Sequence, residues 1–90
     1  MLTKARIEEI LKEAFRPTRL VVTDDSHKHA GHNPQAAFGG THYSVEIISS
    51  EFTGRKLVDR HRMIYAVLAE GLQTHVHALA IKALAPDEAA

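Results

Sequence analysis

The sequence predicts a small α+β domain in which a three-stranded sheet packs against helices in two layers. Ninety residues suffice for one modest core, and a hydrophobic fraction of 44% is typical of a folded globule. Two segments repeat apolar residues with the period of a helix, and three shorter segments have the composition of strands. Their order is helix, strand, loop, strand, helix, strand, which suits a two-layer α+β architecture.

The first helix is predicted over residues 3–15. Its apolar residues recur at i, i+3, i+4, i+7 and i+8, and they are Ile7, Ile10, Leu11, Ala14 and Phe15. Thr3 belongs to the residue types that cap helix N-termini. Arg16 and Pro17 end the helix, because a residue that precedes proline disfavours the α region.

Three segments are predicted to be strands. Residues 20–22 are a short β-prone run, and residues 41–49 alternate with Tyr43, Val45 and Ile47 on one face, as in a half-buried strand. Residues 76–84 are almost continuously apolar, which predicts a central strand. The polar residues 86–90 that follow are expected to be a frayed tail.

The second helix is predicted from Lys56 onward, after a turn at residues 52–54. Its apolar stripe consists of Leu57, His61, Ile64, Tyr65, Leu68 and Leu72. This pattern places His61 in the core as a hydrogen-bonded histidine. Gly71 and the pair Gln73 and Thr74 are candidate terminators of the helix.

Residues 26–40 are predicted to form a long loop that is rich in histidine and glycine. It carries His27, His29 and His32, whose flexible spacing lets several imidazoles reach one metal ion without fixing a geometry. A solvated polar loop without a ligand fits the same residues. Long loops in compact domains are functional or disordered, so the pattern leaves both interpretations open.

His75 and His77 lie at the start of the last predicted strand. Residues two apart in a strand face the same side of the sheet. His77 is therefore either a partly buried strand histidine or a ligand at the edge of the strand, and the pattern does not decide between these two roles.

A basic stretch surrounds the start of the second helix. Residues 52–66 carry Arg55, Lys56, Arg60 and Arg62 against Asp59, a local charge of +3. Such cations can contact the phosphates of a nucleic acid, whereas a solvated helix face with extended side chains is the alternative.

The composition excludes several classes of function. The chain has no cysteine, so it cannot by itself supply a thiol nucleophile, a thiolate zinc site or an all-cysteine iron–sulfur site. Eleven basic residues balance eleven acidic ones, which argues against a protein that coats nucleic acid. No arrangement typical of an enzyme's active site is present. Without a signal peptide or a membrane span, we expect a soluble cytoplasmic protein that is not an enzyme.

Four sequence pieces, taken together, resemble the BolA family over about residues 2–86. They are RIEEILKEAFRPTRLVV with DDSHKHAGH, then GGTHYSVEIIS, then FTGRKLVDRHRMIYAVLAEGL, and finally HALAI before a short acidic tail. The most specific part is the pattern FxG…RHRxxY joined to His-Ala-Leu. The resemblance implies a single domain over residues 1–90.

The resemblance implies a fold like the class II KH domain, with the order α-β-β-α-α-β. It therefore implies that the second helix is split, with a short turn of helix before or around residues 57–60. As an alternative function, it implies a DNA-binding transcriptional regulator of the stress or morphology type. Because Gly54 is followed by Arg55, Lys56 and Leu57, the GxxG loop of KH domains is missing, which argues against RNA binding of the KH type.

The resemblance also implies a monothiol glutaredoxin as partner, in iron–sulfur cluster trafficking or iron regulation. The two proteins would share a [2Fe–2S] cluster, with glutathione arriving with the partner and no cofactor in the isolated chain. His77 matches the family's C-terminal ligand, and His29 is the best match for the ligand in the loop, with His32 and His27 as near substitutes. Alone, the chain would be a monomer or a weak homodimer, away from membranes.

Overall fold

Two helices and three strands make up most of the chain in the computed structural model, which describes residues 3–25, 42–72 and 78–89. The elements are α1 (Lys4–Phe15), β1 (Arg19–Asp24), β2 (His42–Ile48), α2 (Leu57–Leu72) and β3 (Ala78–Leu84). Short 3-10 turns cover Ser50–Phe52 and Pro86–Glu88. The predicted loop over residues 26–40 lies outside the described residues, as do positions 76 and 77 of the last predicted strand.

The helix α1 begins and ends where its sequence predicts. The Thr3 hydroxyl accepts a hydrogen bond from the amide of Arg6 at 3.1 Å, so it caps the helix. Arg16 adopts a left-handed conformation with φ of 47°, and its amide donates to the carbonyl of Lys12. Of the predicted stripe, Ile7, Leu11 and Phe15 are buried, Ile10 is partly buried and Ala14 is exposed.

The three strands form one mixed sheet in the order β1-β2-β3. Strand β1 pairs antiparallel with β2, and β2 pairs parallel with β3. The central strand is thus β2, and the prediction that the last strand is central was wrong. Three of its six apolar residues are alanines, and Ala80 and Lys82 are exposed, so β3 buries one face rather than two.

Both helices pack on the same face of the sheet, which confirms the two-layer α+β fold. Along β2 the buried residues are Tyr43, Val45 and Ile47, as the alternation predicts. Their register partners on β1 and β3 include Val22 and Ala83, which are also buried. The opposite face carries Glu46 between Arg19 at 3.5 Å and Lys82 at 3.9 Å, an ion-pair ladder across all three strands.

The short helical turn that the resemblance implies before or around residues 57–60 lies before them, at Ser50–Phe52, between β2 and α2. Helix α2 itself is continuous from Leu57 and is not split. Ser49 starts this turn. Its fully buried hydroxyl donates to the carbonyl of Phe15 at 2.6 Å and accepts from the amide of Glu51. The end of α1 is thereby joined to the end of β2.

Helix α2 buries part of the predicted apolar stripe together with one residue outside it. In the part of α2 up to residue 69, the buried residues are Ile64 and Leu68 of the stripe and Arg60, which follow one another at intervals of four. Leu57 is 63% exposed and Tyr65 is 43% exposed, although both belong to the predicted stripe. His61 is half-buried rather than part of the core. The side chain of Arg60 points inward because three polar groups receive its guanidinium there, as described below.

Candidate functional site

The first candidate site is the end of the sheet where β1 stops and both β2 and β3 start. The register places Asp24 opposite Tyr43, and His42 opposite Ala78. The amide of Asp25 donates to the carbonyl of His42 at 2.8 Å, and the Ser44 hydroxyl donates to the Asp25 carboxylate. These bonds hold Asp25 against His42 and Ser44 at the start of β2.

The predicted metal ligands His27, His29, His32 and His77 lie outside the described residues. Their attachment points, however, are described. The histidine-rich segment leaves the sheet after Asp25 and returns at His42, and residue 77 is covalently bonded to Ala78, the register partner of His42. Both predicted ligand regions are therefore connected to the same end of the sheet.

The backbone between Asp25 and His29 is long enough to cross the width of the sheet from β1 to β3. Adjacent strands lie about 4.8 Å apart, so β1 and β3 are separated by about 9.6 Å. The four residues from Asp25 to His29 can span up to about 14 Å. The described attachment points therefore allow His29 and His77 to approach one another, and they allow the same for His32. The two residues from Asp25 to His27 span about 7 Å of backbone, so His27 depends on the length of the two side chains as well.

The described side chains at this end offer no sulfur ligand, because the whole chain lacks cysteine. Burial, and next the charge of Asp24, raise the pKa of Tyr43 above 10.0, so its phenol is protonated at neutral pH and is a poor metal ligand. Among the described residues, no group of three or more His, Asp or Glu side chains is placed to hold a metal ion. A cluster bound here would need imidazoles from this chain and thiolates from another molecule.

The second candidate site is the basic surface at the start of α2, which consists of Arg55, Lys56 and Arg62. All three are exposed. Arg62 lies 3.7 Å from Asp59, and in the described part of the chain neither Arg55 nor Lys56 forms an ion pair. Gly54, with φ of 75°, makes the turn that presents these residues.

Arg60, predicted to contact phosphate with these cations, is not part of the basic surface. It is 4% exposed. Its Nε donates to the carbonyl of Arg55 at 2.9 Å, and its Nη1 donates to the carbonyl of Ala83 at 3.0 Å. Its two terminal nitrogens donate to the carboxylate of Glu88, with 3.1 Å between Nη2 and Oε2. The helical pattern places Arg60 beside Lys56 on the surface, but these acceptors draw it inside.

The role of Glu88 does not follow from the sequence pattern, which predicts a frayed segment at this position. That segment forms the 3-10 turn Pro86–Glu88, and the Glu88 carboxylate also accepts from the amide of Ala85 at 2.7 Å. Hydrogen bonds lower the pKa of Glu88 below its usual value, and the bond from Arg60 contributes more than the bond from the amide of Ala85. An acidic residue in a polar tail was the only signal in the sequence.

We expect the stabilisation provided by Glu88 to depend on pH. A carboxyl whose pKa is lowered by folding stabilises the fold above the usual glutamate pKa of about 4.3 and loses this effect as pH falls through the lower value of the folded state. Wild type should therefore melt above Glu88→Gln at neutral pH, and the two melting temperatures should converge in acid. Melting curves from neutral to acid pH measure this, and a difference that grows on acidification would contradict it.

A family model described as BolA-like protein matches residues 11–88. The chain is 47% identical over 81 residues to the "DNA-binding transcriptional regulator BolA" of Escherichia coli, covering 90% of this chain and 73% of that protein. It is 42% identical to "Protein BOLA1, chloroplastic" of Arabidopsis thaliana, covering 93% of this chain and 54% of that protein.

A solved structure supports the same relationship. The structure of the "BolA domain of SufE1 from Arabidopsis thaliana" superposes with a TM-score of 0.85 at 41% identity, and the match covers 98% of this chain and 99% of that one.

Neither helix in the described ranges has the length and apolar character that a membrane span requires.

Proposed function

The chain belongs to the BolA family, and on that premise we propose that it is a non-enzymatic adaptor that binds a monothiol glutaredoxin and shares a [2Fe–2S] cluster with it. His77 and His29 would be the ligands from this chain, with His32 and His27 as alternatives to His29. The role would lie in iron–sulfur cluster trafficking or iron regulation. One observation carries this proposal: the histidine-rich segment and residue 77 are attached to the same end of the sheet.

The donor chemistry supports the same assignment. A chain without cysteine can offer neutral imidazoles, while the thiolates of the partner and its glutathione would hold the other iron. Replacing two thiolates by two imidazoles removes negative charge from the iron and raises the reduction potential. Because imidazole is protonated near neutral pH, the shared cluster should also be more easily released in mild acid than an all-thiolate cluster.

We expect the His77→Ala variant to lose the shared cluster. Wild type, mixed with a glutathione-loaded monothiol glutaredoxin, iron and sulfide, should give a visible circular dichroism spectrum different from that of the glutaredoxin homodimer. His77→Ala should return the homodimer spectrum, because one iron would lack a ligand. Iron and sulfide analysis of the separated complex provides a second measurement.

The variant His75→Ala is the matched control, since it removes an imidazole two positions away. It should retain the spectrum of the wild-type complex. A His77→Ala complex with the wild-type spectrum would refute the role of His77, and a wild-type mixture with the homodimer spectrum would refute cluster sharing. The variants His27→Ala, His29→Ala and His32→Ala, tested singly, identify the second ligand.

A second proposal is that the protein is a DNA-binding transcriptional regulator that uses the basic surface. The exposed cations Arg55, Lys56 and Arg62 support it, because they fall within eight residues of the chain around the start of α2. The similar Escherichia coli protein bears the name of such a regulator. The two proposals are compatible, since the basic surface and the histidine-bearing end of the sheet consist of different residues.

Replacing Arg55, Lys56 and Arg62 together by alanine should weaken DNA binding and reduce its dependence on salt. For each phosphate that the variant no longer neutralises, the slope of log K against log salt concentration should become shallower by about 0.9. Titrations of a labelled duplex at several salt concentrations measure the slope. The control replaces Lys4, Arg6 and Lys12 of α1 by alanine, which removes the same formal charge elsewhere. Equally weakened binding in both triple variants would argue against a localised DNA interface.

A further inference from the structure

The buried guanidinium of Arg60 is neutralised by a single carboxylate that stays accessible to solvent. The side chain of Arg60 is 5% exposed, whereas that of Glu88 is 42% exposed. Within the described ranges, Glu88 is the only acidic side chain that forms an ion pair with Arg60. The contact therefore has a buried cationic side and an open anionic side.

The two sides of this contact are held with different strength. Arg60 is fixed by bonds to the backbone at two places, the carbonyl of Arg55 before α2 and the carbonyl of Ala83 in β3. Glu88, in contrast, belongs to a three-residue 3-10 turn that has no buried residue. Apart from Arg60, its carboxylate is bonded to the amide of Ala85, the buried residue that precedes this turn. The carboxylate can therefore leave while the guanidinium keeps its position.

The fixed guanidinium directs both terminal nitrogens toward the carboxylate. This forked arrangement binds the oxygens of a carboxylate or of a phosphate in the same way. The exposed cations Arg55 and Lys56 directly precede α2, and the carbonyl that holds the Nε of Arg60 belongs to Arg55. Asp87 and Glu88 are the charges that act on the guanidinium. Inorganic phosphate carries more negative charge than the Glu88 side chain and a phosphodiester carries the same charge, and either can offer two oxygens to the fork.

We propose that Arg60 is the fixed half of a phosphate-binding site that Glu88 occupies in the free protein. A phosphate group displaces the carboxylate, accepts the two terminal N–H groups of Arg60, and releases the segment that contains Pro86–Glu88. The ligand is a phosphate group, either inorganic phosphate or the phosphodiester of a nucleic acid. The site does not depend on the glutaredoxin proposal, because it uses neither His77 nor the histidine-rich segment.

The test measures whether phosphate replaces the missing carboxylate in Glu88→Ala. Inorganic phosphate, compared with sodium chloride at equal ionic strength, should raise the melting temperature of this variant by roughly 6 °C at about ten times Kd. Wild type should need a higher phosphate concentration for the same effect, since Glu88 competes. Asp87→Ala is the matched control and should behave as wild type does. If Glu88→Ala does not fold, Glu88→Gln takes its place.

A nuclear magnetic resonance titration locates the bound phosphate without any substitution of Arg60. The Nε–H resonance of Arg60 should shift with phosphate and stay in place with chloride. Equal effects of phosphate and chloride on stability, or an Arg60 resonance that phosphate leaves unchanged, would overturn the proposal and leave the contact purely structural.

Titration of a short DNA duplex separates the two sources of phosphate. If the ligand is a phosphodiester, Glu88→Ala should bind the duplex several-fold more tightly than wild type, with a salt slope steeper by about 0.9. If phosphate shifts the Arg60 resonance while duplex affinity is the same in both proteins, the site is confirmed and belongs to free phosphate.

Discussion

Replacement of Phe52 by alanine is expected to destabilise the domain by about 4 kcal/mol. The ring of Phe52 is fully buried, and its centroid lies 5.2 Å from that of Phe15. The variant would lack the buried apolar area, the aromatic pair and the packing between the end of α1 and the turn before α2. A domain of this size is stable by only about 5–15 kcal/mol, so the change removes a large part of the stability.

Urea unfolding followed by circular dichroism measures this effect through the transition midpoint. Phe52→Leu is the matched control, since it keeps most of the buried volume and should cost much less than alanine. The slope of the unfolding free energy against urea concentration should change little, because both variants expose similar surface on unfolding. A destabilisation below about 1 kcal/mol for Phe52→Ala would contradict the packing described for this residue.

Replacement of Arg60 by alanine is expected to lower the melting temperature by roughly 15 °C. The change removes the donors to the carbonyls of Arg55 and Ala83 and the partner of Glu88. Ala83 is buried, and a buried carbonyl that loses its donor without a replacement is costly. The turn before α2, the end of β3 and the 3-10 turn after it would lose the side chain that joins them.

Arg62→Ala is the matched control for Arg60→Ala. Arg62 is exposed, and its contact with Asp59 at 3.7 Å is a surface ion pair of the kind that contributes little to stability. The melting temperature of Arg62→Ala should therefore stay close to that of wild type. Hydrogen exchange should become faster at residues 85–89 in Arg60→Ala alone. If both arginine variants melted alike, the bridging role of Arg60 would be wrong.

Local patterns in the sequence predicted the elements of this fold well. The Thr3 cap, the end of α1 before Pro17 and the alternation of Tyr43, Val45 and Ile47 are confirmed. Each of these features depends on interactions between residues close in sequence or on the period of one element. The order of the strands depends instead on contacts between residues that are distant in the sequence. The alanine-rich β3 resembles a strand buried on two faces, although it lies at the side of β2 and buries one face.

The candidate sites, too, were predicted from the sequence only in part. Residue types alone indicated which side chains could bind a metal or a phosphate, and the exposed positions of Arg55, Lys56 and Arg62 agree with the basic surface predicted there. Helical spacing predicts Arg60 on that surface, because it lies four residues after Lys56 and so shares its face of a helix. Its acceptors belong to a turn, a strand and the segment after that strand, and no helical period relates them.

The sequence by itself determined the fold class, the family, the absence of thiolate ligands and the identity of the candidate ligands. Only the tertiary structure decided that β2 is central, that Arg60 faces inward and that Glu88 binds it. It also decided that the histidine-rich segment and residue 77 are attached to one end of the sheet. The physical reason is that residue type and period reflect local preference, whereas a buried charge and a strand's neighbours depend on partners distant in the chain.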